Sequence, residues 1–126
     1  MTMRNQGLVK AFNAGAAISR NRIVKFGADE RNVIQGAAAT DALIGVSDNI
    51  DIPSGEVVDV VLTGVATVMY GGTVTVGALL TSDSTGRAVV AAPAAGANNR
   101  IIGVAMVAGV VGDLGAVLLS PASLQG

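Results

Sequence analysis

The chain has 126 residues, a net charge of −1 at pH 7 and a mean hydropathy of +0.60, with no Cys, His or Trp. This excludes a disulfide scaffold, a cysteine or histidine metal site and the usual nucleophile–base pairs, and the length fits a single domain. Gly takes 17 positions and Phe12, Phe26 and Tyr70 are the whole aromatic complement. A core built from small side chains gains only about 1–2 kcal/mol per buried Val, which favours association with further copies.

In chain order, residues 1–15 (MTMRNQGLVKAFNAG) read as an extended N-terminal arm, with no continuous apolar run of the kind a secretory signal needs. Residues 16–126 read as a single β domain. Arg4, Lys10, Arg20, Arg22, Lys25 and Arg31 stand against only Asp29 and Glu30 in the first 31 residues, while acids outnumber Arg87 and Arg100 in the remainder. A basic segment of this kind suits an acidic protein surface. Without interleaved aromatics it is a poor nucleic-acid signature, and no nucleic-acid partner is expected.

Ile18–Phe26 (ISRNRIVKF) alternates as a strand, and a short second strand surrounds Val33-Ile34. Leu43–Ser47 and Glu56–Thr63 follow; in the latter Val58, Val60 and Leu62 share one face. Val65–Tyr70 continues after Gly64, Gly71-Gly72 suggests a tight hairpin turn, and TVTV (73–76) alternates cleanly. Leu79–Thr81 and Ala88–Ala92 flank the polar turn SDSTGR, centred on Asp83 and Gly86. AAPAAGANN (91–99) is a low-complexity connection whose Pro93 ends a strand, and SPASLQG (120–126) reads as a short tail.

The run IIGVAMVAGVVGDLGAVLL (101–119) is long enough to span a bilayer as a helix. Its glycines and Asp113 oppose that, and so does an internal likeness. LIGVSDNIDIPSGEVVDVVL (43–62) repeats its pattern: aliphatic-Ile-Gly-Val, a spacer, Gly near an acid, then a Val/Leu run. The earlier copy carries Asp48, Asp51, Glu56 and Asp59, which no membrane span tolerates. Residues 101–119 are therefore expected to be two strands joined at Gly112-Asp113, with no membrane partner. Short strands with turn signals every 8–12 residues predict an all-β fold, a small β-barrel or β-sandwich with an extended N-terminal arm.

No arrangement of residues points to catalysis, a metal or a cofactor. Asp48, Asp51, Glu56 and Asp59 surround Pro53-Ser54-Gly55, an exposed turn rather than a carboxylate pair aimed at a substrate. Asp48/Asp51 and Asp83/Ser84 lack the acid density of a calcium loop. GVVGDLG (109–115) is neither G-x-G-x-x-G nor a Walker A sequence. Lys25, in RIVKFG, lies within a strand and not on the hairpin tip that a carrier lysine requires.

Five segments together resemble the small capsid cement, or decoration, proteins of tailed bacteriophages. They are AGAAISRNRIVKFGADE, AAATDALIGVSD, SGEVVDVVLTGVATVMYGG, GALLTSDSTGRAVVAAPA and NNRIIGVAMVAGVVGDLGAVLLSPASLQG, which cover the chain from about Ala14 to Gly126. The resemblance implies a β-rich structural protein without catalytic residues. It would bind the outer surface of the assembled head as a homotrimer, with the major capsid protein as partner, and stabilise the shell against internal DNA pressure. Combined with the basic N-terminal bias, it suggests Arg4, Leu8, Lys10, Phe12, Arg20, Arg22 and Lys25 as capsid-binding residues. A phage tail or spike module would share the composition. A small ligand-binding β-barrel fits less well, because three aromatics make a meagre pocket.

Overall fold

The computed structural model describes residues 5–126, which form strands and turns without a helix. The strands are β1 (Asn5–Gln6), β2 (Val9–Ala14), β3 (Ile23–Phe26), β4 (Asn32–Gln35), β5 (Leu43–Ser47), β6 (Val57–Val61), β7 (Gly64–Met69), β8 (Leu79–Ser82), β9 (Ala88–Val90), β10 (Asn98–Ala105) and β11 (Leu114–Gln125). They build a closed barrel in the order β2-β4-β3-β5-β6 and a six-stranded sheet in the order β1-β7-β11-β10-β8-β9.

The likeness between residues 43–62 and 101–119 extends to the whole chain, because β2–β6 and β7–β11 are connected alike. In each series the first strand pairs antiparallel with the last, the last with the fourth, the fourth with the second, and the second with the third. In the first series β2 and β4 close the barrel by a short parallel contact at Asn13↔Asn32 and Ala14↔Val33. In the second, Tyr70 meets Ala88 in a parallel bridge at the matching place. The antiparallel bridge Ile18↔Ile52 likewise matches Val74↔Gly109. Gly45 and Gly103 hold equivalent positions: a Cβ on the first would collide with the Val61 carbonyl, and on the second with the Leu118 carbonyl. Only Gly allows the paired strand so close. The turns before β6 and β11 both contain a left-handed glycine, Gly55 at φ +89° and Gly112 at φ +88°.

Alternation fills the two interiors. Phe12, Ala14, Ile18, Val24, Val33, Val58 and Val60 fill the barrel. Their strand neighbours Ile23, Leu43, Val46 and Val61 point outward onto the second series, joining Ala66, Val68, Tyr70, Leu80, Ile102, Val117 and Leu119 in the other core. Strands buried on both faces need apolar residues at successive positions, which explains Ile23-Val24 and Val60-Val61. The stretch 101–119 thus forms strand, turn and strand. Asn21 clips the two halves together: its N–H donates to the Asp48 carbonyl, its own carbonyl accepts from the Met69 N–H, and its Nδ2 donates to the Thr67 carbonyl.

Five details depart from the expected elements. Of Ile18–Phe26 only Ile23–Phe26 forms a strand, after a turn at Arg20-Asn21 in which Asn21 has φ 55°. The segment read as an arm is woven into both sheets from Asn5 onward: β1 pairs with β7, and β2 is a wall of the barrel. The segment read as a tail continues β11 to Gln125, opposite β10. Ser120 and Pro121 sit where the β10–β11 register shifts, opposite Ile102, and a bulge beyond the last β7 contact tolerates the missing proline N–H. TVTV alternates as expected, but of its residues only Val74 makes a bridge. Finally, neither Gly71 nor Gly72 has a positive φ, and the chain after Tyr70 does not turn back as a two-residue hairpin.

Candidate functional site

The residues singled out from sequence separate into two groups in space, and Arg4 lies outside the described residues. Arg22 and Lys25 are held through their side chains by partners within the chain, and Arg20 through its main chain alone. The Arg20 N–H donates to Asp51 Oδ1 at 2.9 Å. The half-buried Arg22 side chain donates from Nη2 to Met69 Sδ, and its main chain exchanges hydrogen bonds with Ser47. Burial and the neighbouring Arg87 charge lower the Arg22 pKa, against the opposing pull of Asp83 and Asp51. Lys25 Nζ lies 3.0 Å from Asp41 Oδ2. Burial would raise the Asp41 pKa, but the Ala37 N–H, the Lys25 ammonium and the Ala38 N–H outweigh it and hold the carboxyl below its ordinary value.

Leu8, Lys10 and Phe12 gather around β2. Leu8 is 58% exposed, with its N–H donating to Thr63 Oγ1. Phe12, by contrast, is only 6% exposed. It faces the barrel interior because Phe12 and Ala14 share the inward side of an alternating strand, and it also lines the groove beside β2. Its ring meets Phe26 edge-on at 6.1 Å between centroids, and the Lys10 ammonium stands 5.2 Å from the Phe12 centroid. A cation there gains about 0.5–1 kcal/mol at an exposed site.

Beside β2 runs an open groove of about 350 Å³. Lys10 and Asn13 form one side, and Glu30 and Arg31, from the β3–β4 connection, form the other. Ala11, Phe12 and Val57 also line it, and Val57 is 61% exposed. Asn13, Glu30, Arg31 and Val57 were not singled out from sequence. The Asp-Glu-Arg run at 29–31 reads as an ordinary charged turn, and only the fold lays it across β2. The Asp29 carboxylate ties that turn, accepting from Asn32 Nδ2 and from the Arg31 and Asn32 N–H groups.

Of the carboxylates weighed for chemistry, Asp51 accepts from the Arg20 N–H and Asp83 organises its own turn. Asp83 Oδ1 accepts from the Thr85 and Arg87 N–H groups and the Thr85 hydroxyl, and Oδ2 pairs with Arg87 Nε at 2.9 Å. Among the described residues no group of three carboxylates is placed to hold a metal ion.

A phage cement protein family model matches residues 3–119. The chain belongs to the phage cement proteins. Its fold is similar to that of the N-terminal base of the head fibre of bacteriophage phi29, with a TM-score of 0.68 and 18% identity, covering 94% of this chain and 98% of that one. No curated protein matches the sequence. This cement protein is accordingly a capsid decoration protein, a structural component of the virion on the head surface, built as an all-β fold around a closed barrel.

Proposed function

We propose that this cement protein attaches to the outside of the assembled head through the β2 face, with Leu8 and Lys10 among its contacts and the major capsid protein as its partner. The observation that carries this reading is the open groove beside β2, lined by Lys10, Ala11, Phe12 and Asn13 together with the exposed Val57. Arg22 and Lys25 already have side-chain partners within the chain and add to the field of the surface, whereas Arg20 is bonded only through its main-chain N–H and its exposed guanidinium stays among the candidate contacts. The role is mechanical and has no catalytic step.

Association into trimers belongs to the same reading. Leu79, Val104, Leu118 and Val65 lie in register across β8, β10, β11 and β7 on the outward face of the sheet, an aliphatic row suited to burial against further copies. The deciding experiment is quantitative mass spectrometry of gradient-purified virions. A copy number of the same order as the major capsid protein is expected, whereas a handful per particle would place the chain on a tail or fibre. Removing residues 1–13 is unsuitable as a binding test, since it takes most of β2 out of the barrel; point substitutions in the groove are needed.

A further inference from the structure

The main-chain hydrogen bonds of β2 alternate between two sides. The Ala14 N–H donates to the Glu56 carbonyl and the Leu8 carbonyl accepts from Leu62, so even-numbered residues face β6. The Asn13 and Gly15 N–H groups donate to the Arg31 and Val33 carbonyls, so odd-numbered residues face the other way, toward β4. The β2–β4 pairing covers only Asn13 and Ala14. By this alternation Val9 and Ala11 direct both their N–H and C=O groups toward the groove, where no strand of the described residues lies alongside them.

The second half of the molecule shows the same edge filled. Val65, Thr67 and Met69 of β7 match Val9, Ala11 and Asn13 of β2. Val65 is paired with Asn5 of the antiparallel strand β1, the Thr67 carbonyl accepts from Asn21 Nδ2, and the Met69 N–H donates to the Asn21 carbonyl. Extended chain from outside the β7–β11 series thus completes one edge, while the matching edge on β2, between Lys10 and Arg31, has no such partner among the described residues. The Lys10 ammonium has the Phe12 ring below it and no ion pair among the described residues.

We propose that the β2 edge at Val9 and Ala11 is a strand-addition site. Its occupant on the head is an extended segment of a shell subunit, antiparallel to β2 as β1 is to β7, with a carboxylate side chain set against Lys10. This rests on the reading of the β2 face as the capsid-binding surface and adds how that face binds. Main-chain pairing supplies the hold and the groove selects the side chains.

The test uses heads purified from a phage in which the gene for this chain is interrupted. Hydrogen exchange of the full chain, free and bound to such heads, reads Val9 and Ala11 directly, and exchange slowed about tenfold or more on binding is expected. Ala11→Pro removes a donor that no barrel partner uses and obstructs an added strand. It should weaken head binding about tenfold or more with little change in melting temperature. Lys10→Glu, on the surface, should weaken binding without touching the edge, and keeps the question open to test if Ala11→Pro folds poorly. Unchanged exchange at both amides while wild-type chain occupies the heads overturns strand addition and leaves the surface reading standing. Failure of the wild-type chain to bind overturns both. Loss of self-association in Ala11→Pro with head binding intact would make a second copy the occupant and overturn the shell segment.

Discussion

Tyr70 and two glycines show how the second half keeps the architecture of the first with different side chains. At the places where the barrel interior has Ala14, Ile52 and Val58, the other core has Tyr70, Gly109 and Gly115. A Cβ on Gly115 would overlap the Tyr70 ring and hydroxyl, and one on Gly109 would stand 2.7 Å from its Cδ2. The ring is fully buried and its hydroxyl donates to the Val107 carbonyl at 2.8 Å; burial raises its pKa. Gly115→Ala is therefore an overpacking change and should cost about 1–3 kcal/mol or more in the denaturant midpoint. Tyr70→Ala should cost about 3–5 kcal/mol through the cavity it leaves. Combining Tyr70→Ala with Gly115→Val, which approximates the first half's arrangement, should recover part of that loss. A double variant no more stable than Tyr70→Ala alone would show that the exchange is not one of volume. The sequence places these glycines correctly in a strand-turn-strand segment but cannot separate Gly112, needed for its positive φ, from Gly109 and Gly115, needed as space for an aromatic ring far away in the chain.

At the scale of the element, β5 has the bounds the sequence suggests, and SDSTGR is the β8–β9 turn because its chemistry is local. Asp83 organises that turn. Burial would raise its pKa, but the Thr85 and Arg87 N–H groups and the Arg87 side chain outweigh it and hold the carboxyl below its ordinary value. A carboxyl depressed in the folded state stabilises above its unfolded pKa of about 4, and that stability is lost as pH falls through the folded value. Melting temperature should accordingly decline below about pH 4, with Asp41 contributing in the same direction. Asp83→Asn should lower stability at pH 7 by about 1–3 kcal/mol and flatten the acid decline; an unchanged acid limb would assign it to other groups. The elements that sequence misplaces depend on distant neighbours. TVTV has the alternation of a strand, with Val74 buried and Val76 69% exposed, but makes a single bridge. SPASLQG is polar and contains a proline, yet β10 runs long enough to pair with it. Residues 9–14 have no turn signal of their own and join the barrel only because β6 lies beside them.

For the whole molecule, the accessible surface is 6123 Å², close to the roughly 6100 Å² expected of a compact monomer of this mass. The two edges can therefore be compared within one compact chain. The β7 edge is completed within the chain by β1 and Asn21, whereas the matching β2 edge has no such partner among the described residues. The groove was legible from sequence only through its charge bias, because a free edge is a property of pairing and not of composition. Two modes of attachment follow from this and differ in salt dependence. A basic patch would lose affinity steeply as salt screens exposed charges, with a Debye length of about 8 Å at physiological strength. Arg22 and Lys25 are already engaged, and attachment by main-chain hydrogen bonds at the β2 edge predicts that occupancy falls only gently with added salt. The linked effect on the shell is measurable: a cement protein that binds only the assembled head stabilises it by about 2.7 kcal/mol per site at a hundredfold excess over Kd. Adding the chain to heads that lack it should raise the temperature of DNA release saturably, with Ala11→Pro needing a higher concentration to reach the same plateau. A steep salt dependence with a plateau reached equally by Ala11→Pro would transfer the attachment from the strand edge to the charged surface.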